Sequence, residues 1–248
     1  MPKPNSGTRL SNLSDLKEEL AAAADPERAK GAAWFFQTGP GKYGEGDRFL
    51  GIRVPVQRRI ACRYLHLPLR DIARLLQSPF HECRFTAAEI LVARYEKASD
   101  TAAEEIFRFY LANAARMNNW DLVDTSAPYI VGAHLLSRPR ALLDELARSN
   151  NLWERRIAIV STFAFIKQKQ LDDTFRIASI LLVDRQDLIH KAVGWALREA
   201  GKVSRPRLLE FLETHYHALP RTTLRYAIEH FPPRERKRLL LGTFVRVS

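Results

Sequence analysis

Five segments of similar pattern recur along the chain at intervals of 40, 32, 35 and 34 residues. They read FHECRFTAAEIL, WDLVDTSAPYI, LWERRIAIVSTFA, DLIHKAVGWALRE and RTTLRYAIEHF, and they begin at Phe80, Trp120, Leu152, Asp187 and Arg221. Each has the three- and four-residue apolar spacing of an amphipathic helix. Helical units of this length are typical of HEAT or armadillo repeats, whose hairpins stack into a solenoid.

The rest of the chain is also helical in pattern, because alternating β-branched runs are scarce. The segment DLKEELAAAADPERAKGAAWFF predicts two short helices that are separated at Asp25 and Pro26. Residues 38–48 are rich in glycine and predict a loop, and residues 1–14 are expected to be flexible. The predicted fold is an all-α, HEAT-like (ARM-type) helical-repeat solenoid with a concave basic groove, formed by a single domain over residues 1–248.

The charge balance indicates a polyanionic partner. The chain has 39 Lys and Arg against 28 Asp and Glu, for a formal net charge of +11. Such an excess is typical of nucleic-acid binding, although a basic protein that is merely soluble remains an alternative. The two cysteines have no metal or disulfide spacing, and no apolar run approaches the length of a membrane span. We therefore expect a cytoplasmic, nucleoid-associated protein.

The fifth position of the five repeats forms a column of charged residues. Four of its members are cationic and one is anionic: Arg84, Asp124, Arg156, Lys191 and Arg225. A solenoid would place these side chains in a row along its groove, where the cations would bind phosphates. The carboxylate of Asp124 is the exception in this row. It either has a chemical role or simply pairs with a neighbour such as Arg156.

Tryptophans accompany this column. Trp120 lies four residues before Asp124, and Trp195 lies four residues after Lys191, so each indole shares a helix face with a charge. Aromatic faces in a basic groove suit contact with bases or sugars. Packing in the core is the alternative for each ring and is favoured for Trp153, which begins a helix.

A carboxylate beside indole rings in a phosphate-binding groove suits a cationic intermediate. Loss of a purine from DNA passes through an oxocarbenium-like sugar, which Asp124 could stabilise while it places a water molecule. The column contains no histidine to act as a general acid. The purine would therefore have to carry a positive charge already, as it does after alkylation at N3 or N7.

At these residues the sequence resembles the DNA alkylation repair family, in particular its AlkD-type alkylpurine DNA glycosylases. The resemblance rests on NNWDLVDTSAPYIVG, NLWERRIAIVSTF, HKAVGWALREAGK and YGEGDRFLGIRVP, in a region of roughly residues 15–240. It implies a stack of HEAT-like repeats that excises 3-methyladenine and 7-methylguanine, without flipping the base out of the duplex and without a metal or cofactor.

The resemblance also implies roles for individual residues. Asp124 matches the catalytic aspartate, Trp120 the aromatic residue before it, Arg156 the arginine that faces the lesion and backbone, and Trp195 the aromatic residue at the sugar. Some relatives place a tyrosine of the N-terminal helix against DNA. Trp34 and Phe35 stand in that region here, and neither has the hydroxyl.

Several other segments are weaker candidates for a site. The loop GPGKYGEGDR lacks the ending of a phosphate-cradling motif, and the spacing of His215 and His217 suits no helical metal site. The basic segment Pro232 to Gly242 is either a charged cap or an extra phosphate contact. Four further cations are predicted to clamp the DNA backbone: Arg58, Arg59, Arg198 and Lys202.

The sequence thus predicts a monomeric, monofunctional DNA glycosylase that acts on alkylated double-stranded DNA in base excision repair and needs no obligate protein partner. The first alternative is a non-catalytic helical-repeat protein that binds structured or branched nucleic acid. The second alternative is a scaffolding solenoid whose positive charge serves an acidic protein.

Overall fold

The computed structural model describes residues 12–244, and within them the chain is helical apart from its turns and loops. The predicted all-α, helical-repeat fold class is confirmed. The one extended pairing in this range is an isolated parallel bridge between Arg48 and Phe80. Of the segment expected to be flexible, residues 1–11 lie outside the described residues. Residues 12–14 instead form the start of the first helix, where the Asn12 side chain accepts the Ser14 and Asp15 backbone N–H groups.

The described residues form fifteen α-helices, with a 3₁₀ turn at Ala114–Arg116 and a π-helical turn at Pro128–Gly132. Their bounds are α1 Leu13–Ala22, α2 Pro26–Phe35, α3 Val54–Arg63, α4 Leu69–Leu76, α5 His81–Tyr95, α6 Asp100–Ala112, α7 Trp120–Ala127, α8 Leu142–Ala147, α9 Leu152–Ser161, α10 Phe163–Lys167, α11 Asp172–Leu181, α12 Asp187–Val203, α13 Arg205–His215, α14 Arg221–Ala227 and α15 Pro233–Leu240.

The chain divides into two compact units, residues 1–97 and residues 98–248. The first unit contains α1 to α5, and α5 packs against α1, α3 and α4. The predicted break between the first two helices is confirmed, because the Asp25 side chain caps α2 and Pro26 occupies its first turn. Apolar side chains of all four packed helices are buried, among them Leu16, Leu20, Ile60, Ile72, Leu75 and Ile90.

The segment that follows the glycine-rich loop is bound to the start of α5. The buried Glu82 carboxylate accepts the backbone N–H groups of Leu50, Gly51 and Ile52 at 2.9, 2.7 and 3.3 Å. Gly51 has a φ of +80°, and a Cβ there would lie 2.1 Å from the Asp25 carbonyl oxygen, so the turn requires glycine. This segment is therefore fixed in the first unit by a carboxylate that accepts three backbone N–H groups.

The second unit contains α6 to α15 and has two layers. The site layer consists of α7, α9, α12 and α14, which pack against one another in that order. The opposite layer contains α8, α11 and α13: α8 packs against α9, and α11 and α13 pack against α12. Helix α6 packs against the π-helical turn that follows α7. The predicted repeat starts at Trp120, Leu152, Asp187 and Arg221 are the first residues of the four site-layer helices.

Contacts between equivalent positions show that the site-layer helices run parallel. Arg156 of α9 bonds to Asp124 of α7, and both hold the fifth position of their helices. The Thr222 hydroxyl of α14 donates to the Asp187 carboxylate of α12 at 3.3 Å, and the Thr223 hydroxyl donates to the His190 carbonyl at 3.1 Å. The first turns of these helices therefore lie side by side.

Gly194 allows α12 and α14 to approach closely. A Cβ at this position would lie 2.5 Å from the Tyr226 Cβ and 2.7 Å from the Thr223 carbonyl oxygen. A larger residue would push the two helices apart, and Trp195 would move with the backbone of α12. The glycine beside this tryptophan is thus part of what sets its position.

Candidate active site

Asp124 and Arg156 form a two-pronged ion pair between α7 and α9. The Nε and Nη2 atoms of Arg156 donate to Oδ1 and Oδ2 of Asp124, both at 2.8 Å. The exposed fraction is 15% for the Asp124 side chain and 6% for that of Arg156. The pair is thus nearly buried, and its carboxylate is the more accessible partner.

The third donor group of Arg156 extends the link to α12. Its Nη1 donates to the Leu188 carbonyl oxygen at 2.6 Å, so one guanidinium joins three successive helices of the site layer. Arg156 therefore orients Asp124 in this structure. The pairing that the sequence left open is present, and it leaves the carboxylate usable, since each carboxylate oxygen retains a second lone pair.

Burial raises the pKa of the Asp124 carboxyl above its ordinary value. The charge and hydrogen bonds of Arg156 oppose this rise, whereas the neighbouring Asp121 carboxylate adds to it. A carboxylate that has lost much of its hydration interacts more strongly with a nearby positive charge than an exposed one does. The site can therefore stabilise a cation at short range.

Trp120 begins the helix that carries Asp124. Its backbone N–H donates to Oδ1 of Asn119 at 2.8 Å, and Asn119, the cap of α7, is fully buried. Trp120 is half-buried and lies one turn before Asp124, so both side chains project from the same face. A fixed helix start thus determines where this indole lies relative to the carboxylate.

Trp195 lies on α12 and packs against Phe163, the first residue of α10. The ring centroids are 4.3 Å apart and the planes are inclined by 52°. Both rings are half-buried. Leu188, whose carbonyl oxygen binds Arg156, lies seven residues before Trp195 and therefore on the same side of the helix.

Comparison with known proteins identifies the family of this chain. The family model described as DNA alkylation repair enzyme matches residues 16–231, which is most of the chain. The chain belongs to this family. The matched segment contains Asp124, Arg156, Trp120, Trp195 and Phe163, and it ends before α15.

A solved structure supports the fold of this DNA alkylation repair family member. The chain is similar to a predicted DNA alkylation repair enzyme from Enterococcus faecalis, with a TM-score of 0.67 and 17% sequence identity. The alignment covers 85% of this chain and 97% of that chain. At this identity the likeness shows a shared fold. No curated protein matches the chain significantly.

The other two predicted aromatic contacts with DNA lie in the first unit, on α2. The exposed fraction is 83% for Trp34 and 56% for Phe35, and α2 has no buried residue. Their contact with DNA stays a prediction. Trp153 of the second unit is buried, which agrees with the core packing favoured for it.

The predicted phosphate-binding cations of the second unit differ in their surroundings. Three of them lie on the same face of α12 as Trp195, because they are spaced by three, four or seven residues from it: Lys191, Arg198 and Lys202. Lys191 pairs with Asp187 at 2.8 Å, Lys202 pairs with Glu199 at 2.7 Å, and Arg198 bonds to Glu229. Arg225 is exposed on α14. Binding of phosphate by these four residues stays a prediction. To bind a phosphate, three of them would have to release the carboxylate with which they pair.

Arg84 of the first unit has a placement that favours a structural role over the predicted phosphate contact. Only 4% of its side chain is exposed, and it donates to Asp47 at 2.6 Å and to the Ser78 carbonyl at 2.8 Å. The alignment of repeats gave no signal for Asp47, which lies in the glycine-rich loop. Arg58 and Arg59 are exposed on α3, and Arg58 pairs with Glu89 at 3.1 Å.

The described residues contain no group of three or more His, Cys, Asp or Glu side chains that could hold a metal ion. His215 packs against Phe211 at 4.5 Å between ring centroids. Over residues 12–244, none of the helices has the length and apolar character to cross a membrane.

Sequence reasoning missed two groups of this site. Phe163 follows the break between α9 and α10, and no spacing rule marks an aromatic residue there as a partner of Trp195. The Leu188 carbonyl is a backbone group, which the sequence cannot mark. Its position follows only from the packing of α12 against α9.

Proposed function

We propose that the protein is a monofunctional DNA glycosylase that hydrolyses the N-glycosidic bond of cationic alkylated purines, such as 3-methyladenine and 7-methylguanine, in duplex DNA. The observation that carries this proposal is the Asp124 carboxylate, which Arg156 holds through two 2.8 Å bonds on the face that Trp120 shares. Membership of the family supports the role in DNA repair, and the chemistry of the Asp124–Arg156 pair supports the proposed class of reaction.

The substrate's charge explains why this small set of groups suffices. As the bond between C1′ and the purine nitrogen breaks, its electron pair neutralises the base, and the positive charge moves to the sugar. Asp124 stabilises the resulting oxocarbenium-like sugar and positions water, whose oxygen bonds to C1′ while its proton passes to solvent. A cationic base departs without protonation, so the reaction requires no general acid.

The remaining groups position the Asp124 carboxylate relative to the sugar. Arg156 fixes the direction of both Asp124 oxygens and prevents their rotation. Trp120 and Trp195 offer indole faces, which bind a sugar through its C–H groups and favour positive charge near the ring. Recognition of the sugar and backbone by these faces supports excision from a stacked base, without flipping. The protein acts as a monomer in this proposal.

Asp124→Asn tests the chemistry. The substitution removes the negative charge and keeps the shape of the side chain, so we expect 7-methylguanine release from methylated duplex DNA to fall to the uncatalysed rate. DNA affinity should be equal or higher, because a charge that repels phosphate is gone. Release at the parental rate would rule out the assigned role of Asp124.

Asp187→Asn is the matched control, because it makes the same change of charge in the same helix layer. Asp187 is exposed, and its partners are Lys191 at 2.8 Å and Thr222 at 3.3 Å. We expect this variant to retain base release. Thermal unfolding of both variants separates loss of chemistry from loss of fold, since a variant that has lost only the chemistry keeps the Tm of the parent.

The alternative is a non-catalytic protein that binds structured or branched nucleic acid. One observation favours it: both Asp124 oxygens already accept bonds from Arg156, as in a purely structural pair. It predicts no base release by the parent protein and tighter binding to a branched DNA than to a linear duplex.

A further inference from the structure

A second set of cations lies within the four residues before the site-layer helices or at the helix start itself. An arginine stands just before or at the start of each helix, and these arginines are spaced by 32, 37 and 36 residues, which is the period of the repeat. They are Arg116 before α7, Arg148 before α9, Arg185 before α12 and Arg221 at the start of α14. None of them belongs to the column that contains Asp124.

The helix contacts place these arginines along one edge of the second unit. The first turns of α12 and α14 are joined by the bond from Thr222 to Asp187, and α9 reaches the first turn of α12 through the bond from Arg156 to the Leu188 carbonyl. Arg156 also joins α9 to α7 at equivalent positions. Helix starts that lie side by side place the residues just before them in a row.

All four arginines are exposed. Within residues 12–244, the side chains of Arg116 and Arg185 form no hydrogen bond or ion pair. Arg148 donates to the carbonyl oxygen of its neighbour Asp144 and lies 3.6 Å from the carboxylate of that residue, and Arg221 donates to the Leu240 carbonyl at 2.9 Å. Two of the four charges are therefore uncompensated, and a third is bonded to a neutral group.

Two carboxylates at the same edge do not cancel this charge, because each pairs with another cation. Asp184 pairs with Arg155 at 2.6 Å, and Asp187 pairs with Lys191 at 2.8 Å. Glu154 accepts only the neutral Ser149 hydroxyl, at 2.5 Å, so it keeps its charge and offsets one of the four arginines. The arginine row therefore presents net positive charge to solvent.

The row continues onto α15, beyond the segment that the family model matches. The bond from Arg221 to the Leu240 carbonyl places the end of α15 beside the start of α14. Arg221, Arg236 and Lys237 line a shallow cavity of about 420 Å³, together with the apolar side chains of Leu240 and Leu241. Two further cations thus extend the arginine row at its end.

We propose that this edge is a second phosphate-binding surface, which holds the backbone of duplex DNA outside the reaction site. Its residues are Arg116, Arg148, Arg185, Arg221, Arg236 and Lys237. Packed helices lie about 8–10 Å apart, and one DNA strand has a phosphate about every 3.4 Å along the axis. The row therefore offers one cation for roughly three phosphates, and the positive ends of the parallel helices add to its potential.

This inference rests on duplex DNA as the substrate of the proposed function, and it does not depend on which bond is hydrolysed. The test therefore uses undamaged duplex DNA and measures affinity as a function of salt concentration. A protein without catalytic activity could still bind DNA through this surface, and an active glycosylase could still show no effect of these arginines on binding.

The test variant replaces Arg116, Arg148, Arg185 and Arg221 with glutamine together. The slope of log K against log salt should become shallower by roughly 0.9 for each arginine that no longer neutralises a phosphate, about 3.6 for all four. The control variant removes the same amount of charge from exposed cations away from this edge, with glutamine at Arg108, Arg138, Lys169 and Arg207. Its slope should stay close to that of the parent.

An equal change of slope in both variants would overturn the proposal, because it would show that excess charge alone governs binding. If the fourfold variant does not fold, Arg116→Gln and Arg185→Gln decide the question singly, since these side chains form no hydrogen bond or ion pair within residues 12–244. Each should reduce the slope by about 0.9, and a slope unchanged in both would equally overturn the proposal.

Discussion

The Asp124–Arg156 pair meets two opposing electrostatic demands at the scale of single residues. A nearly buried carboxylate without a partner would be costly, and a carboxylate that is fully neutralised could not stabilise a cation. Arg156 approaches both oxygens from one side with its planar fork. In the proposed reaction, the lone pairs that Arg156 does not use interact with the substrate.

The raised pKa of Asp124 leads to a prediction about pH. The proposed reaction needs the ionised carboxylate, and burial raises its pKa above the ordinary value. As the pH falls, single-turnover release of 7-methylguanine should therefore decline at a higher pH than an ordinary aspartate would dictate. The measurement is the ratio of the parental rate to the Asp124→Asn rate at each pH, which corrects for spontaneous depurination.

Protein stability behaves differently over the same pH interval. Because the folded-state pKa of Asp124 is raised, this group favours the folded state most when protonated, and its contribution falls as pH rises through the interval between the two pKa values. Protonation of Asp124 should thus lower activity without unfolding the chain. A constant rate ratio down to the pKa of a free aspartate would contradict the assignment.

The sequence predicted the polar part of this site better than its aromatic part. Asp124 and Arg156 hold the same position in adjacent repeats, so a repeat alignment brings them together. The contact between Trp195 and Phe163 depends on a helix break at Thr162, and breaks of this kind depend on tertiary packing more than on local pattern. The repeat alignment did not predict the surroundings of Arg84, which is buried and pairs with Asp47, a residue outside the aligned segments.

At the scale of elements, Gly194 carries a prediction about helix packing. An alanine Cβ there would lie 2.5 and 2.7 Å from atoms of α14, one of them a backbone carbonyl oxygen that cannot easily move. We expect Gly194→Ala to destabilise the fold by about 1–3 kcal/mol. For a chain of this size that lowers Tm by roughly 2–4 °C per kcal/mol, as thermal unfolding would record.

Gly31→Ala is the matched control for that substitution. Gly31 lies within α2, and a Cβ there would meet no atom within 4 Å. Alanine is the better helix former by about 0.8–1 kcal/mol, so Tm should be unchanged or higher. A similar loss of stability in both variants would show that the close approach of α12 and α14 is not what Gly194 provides.

The starts of the four site-layer helices could be predicted to the residue, whereas the π-helical turn Pro128–Gly132 could not. A repeat start has a periodic apolar pattern, and Trp120, Leu152, Asp187 and Arg221 all begin helices. The π-helical turn has no such signal. It lies where a Cβ on Gly132 would come within 2.3 Å of the Ser161 carbonyl, so tertiary packing accounts for it.

At the scale of the whole chain, the net charge of +11 is distributed unevenly. Several cations form ion pairs with carboxylates about one repeat away in sequence, as in Arg140–Asp173 at 2.5 Å and Arg155–Asp184 at 2.6 Å. These pairs join neighbouring repeats, and their charge is neutralised within the fold. The uncompensated charge is left for positions such as Arg116 and Arg185, which is why composition alone indicated a polyanion but could not locate its binding surface.

The distribution of charge predicts a steep dependence of DNA binding on salt. A protein that makes 6–10 phosphate contacts loses roughly 10³–10⁵ in affinity between 50 and 200 mM salt, because each contact releases a condensed counterion. The cations of the site layer and the arginine row are numerous enough for a response of that size, and a titration of labelled duplex against the parent protein measures it. A scaffold that binds an acidic protein would release no counterions condensed on DNA, so log K would not fall linearly with log salt in this way. A flat response across the same range would therefore exclude a phosphate-lined surface, and with it the DNA substrate on which both proposals depend.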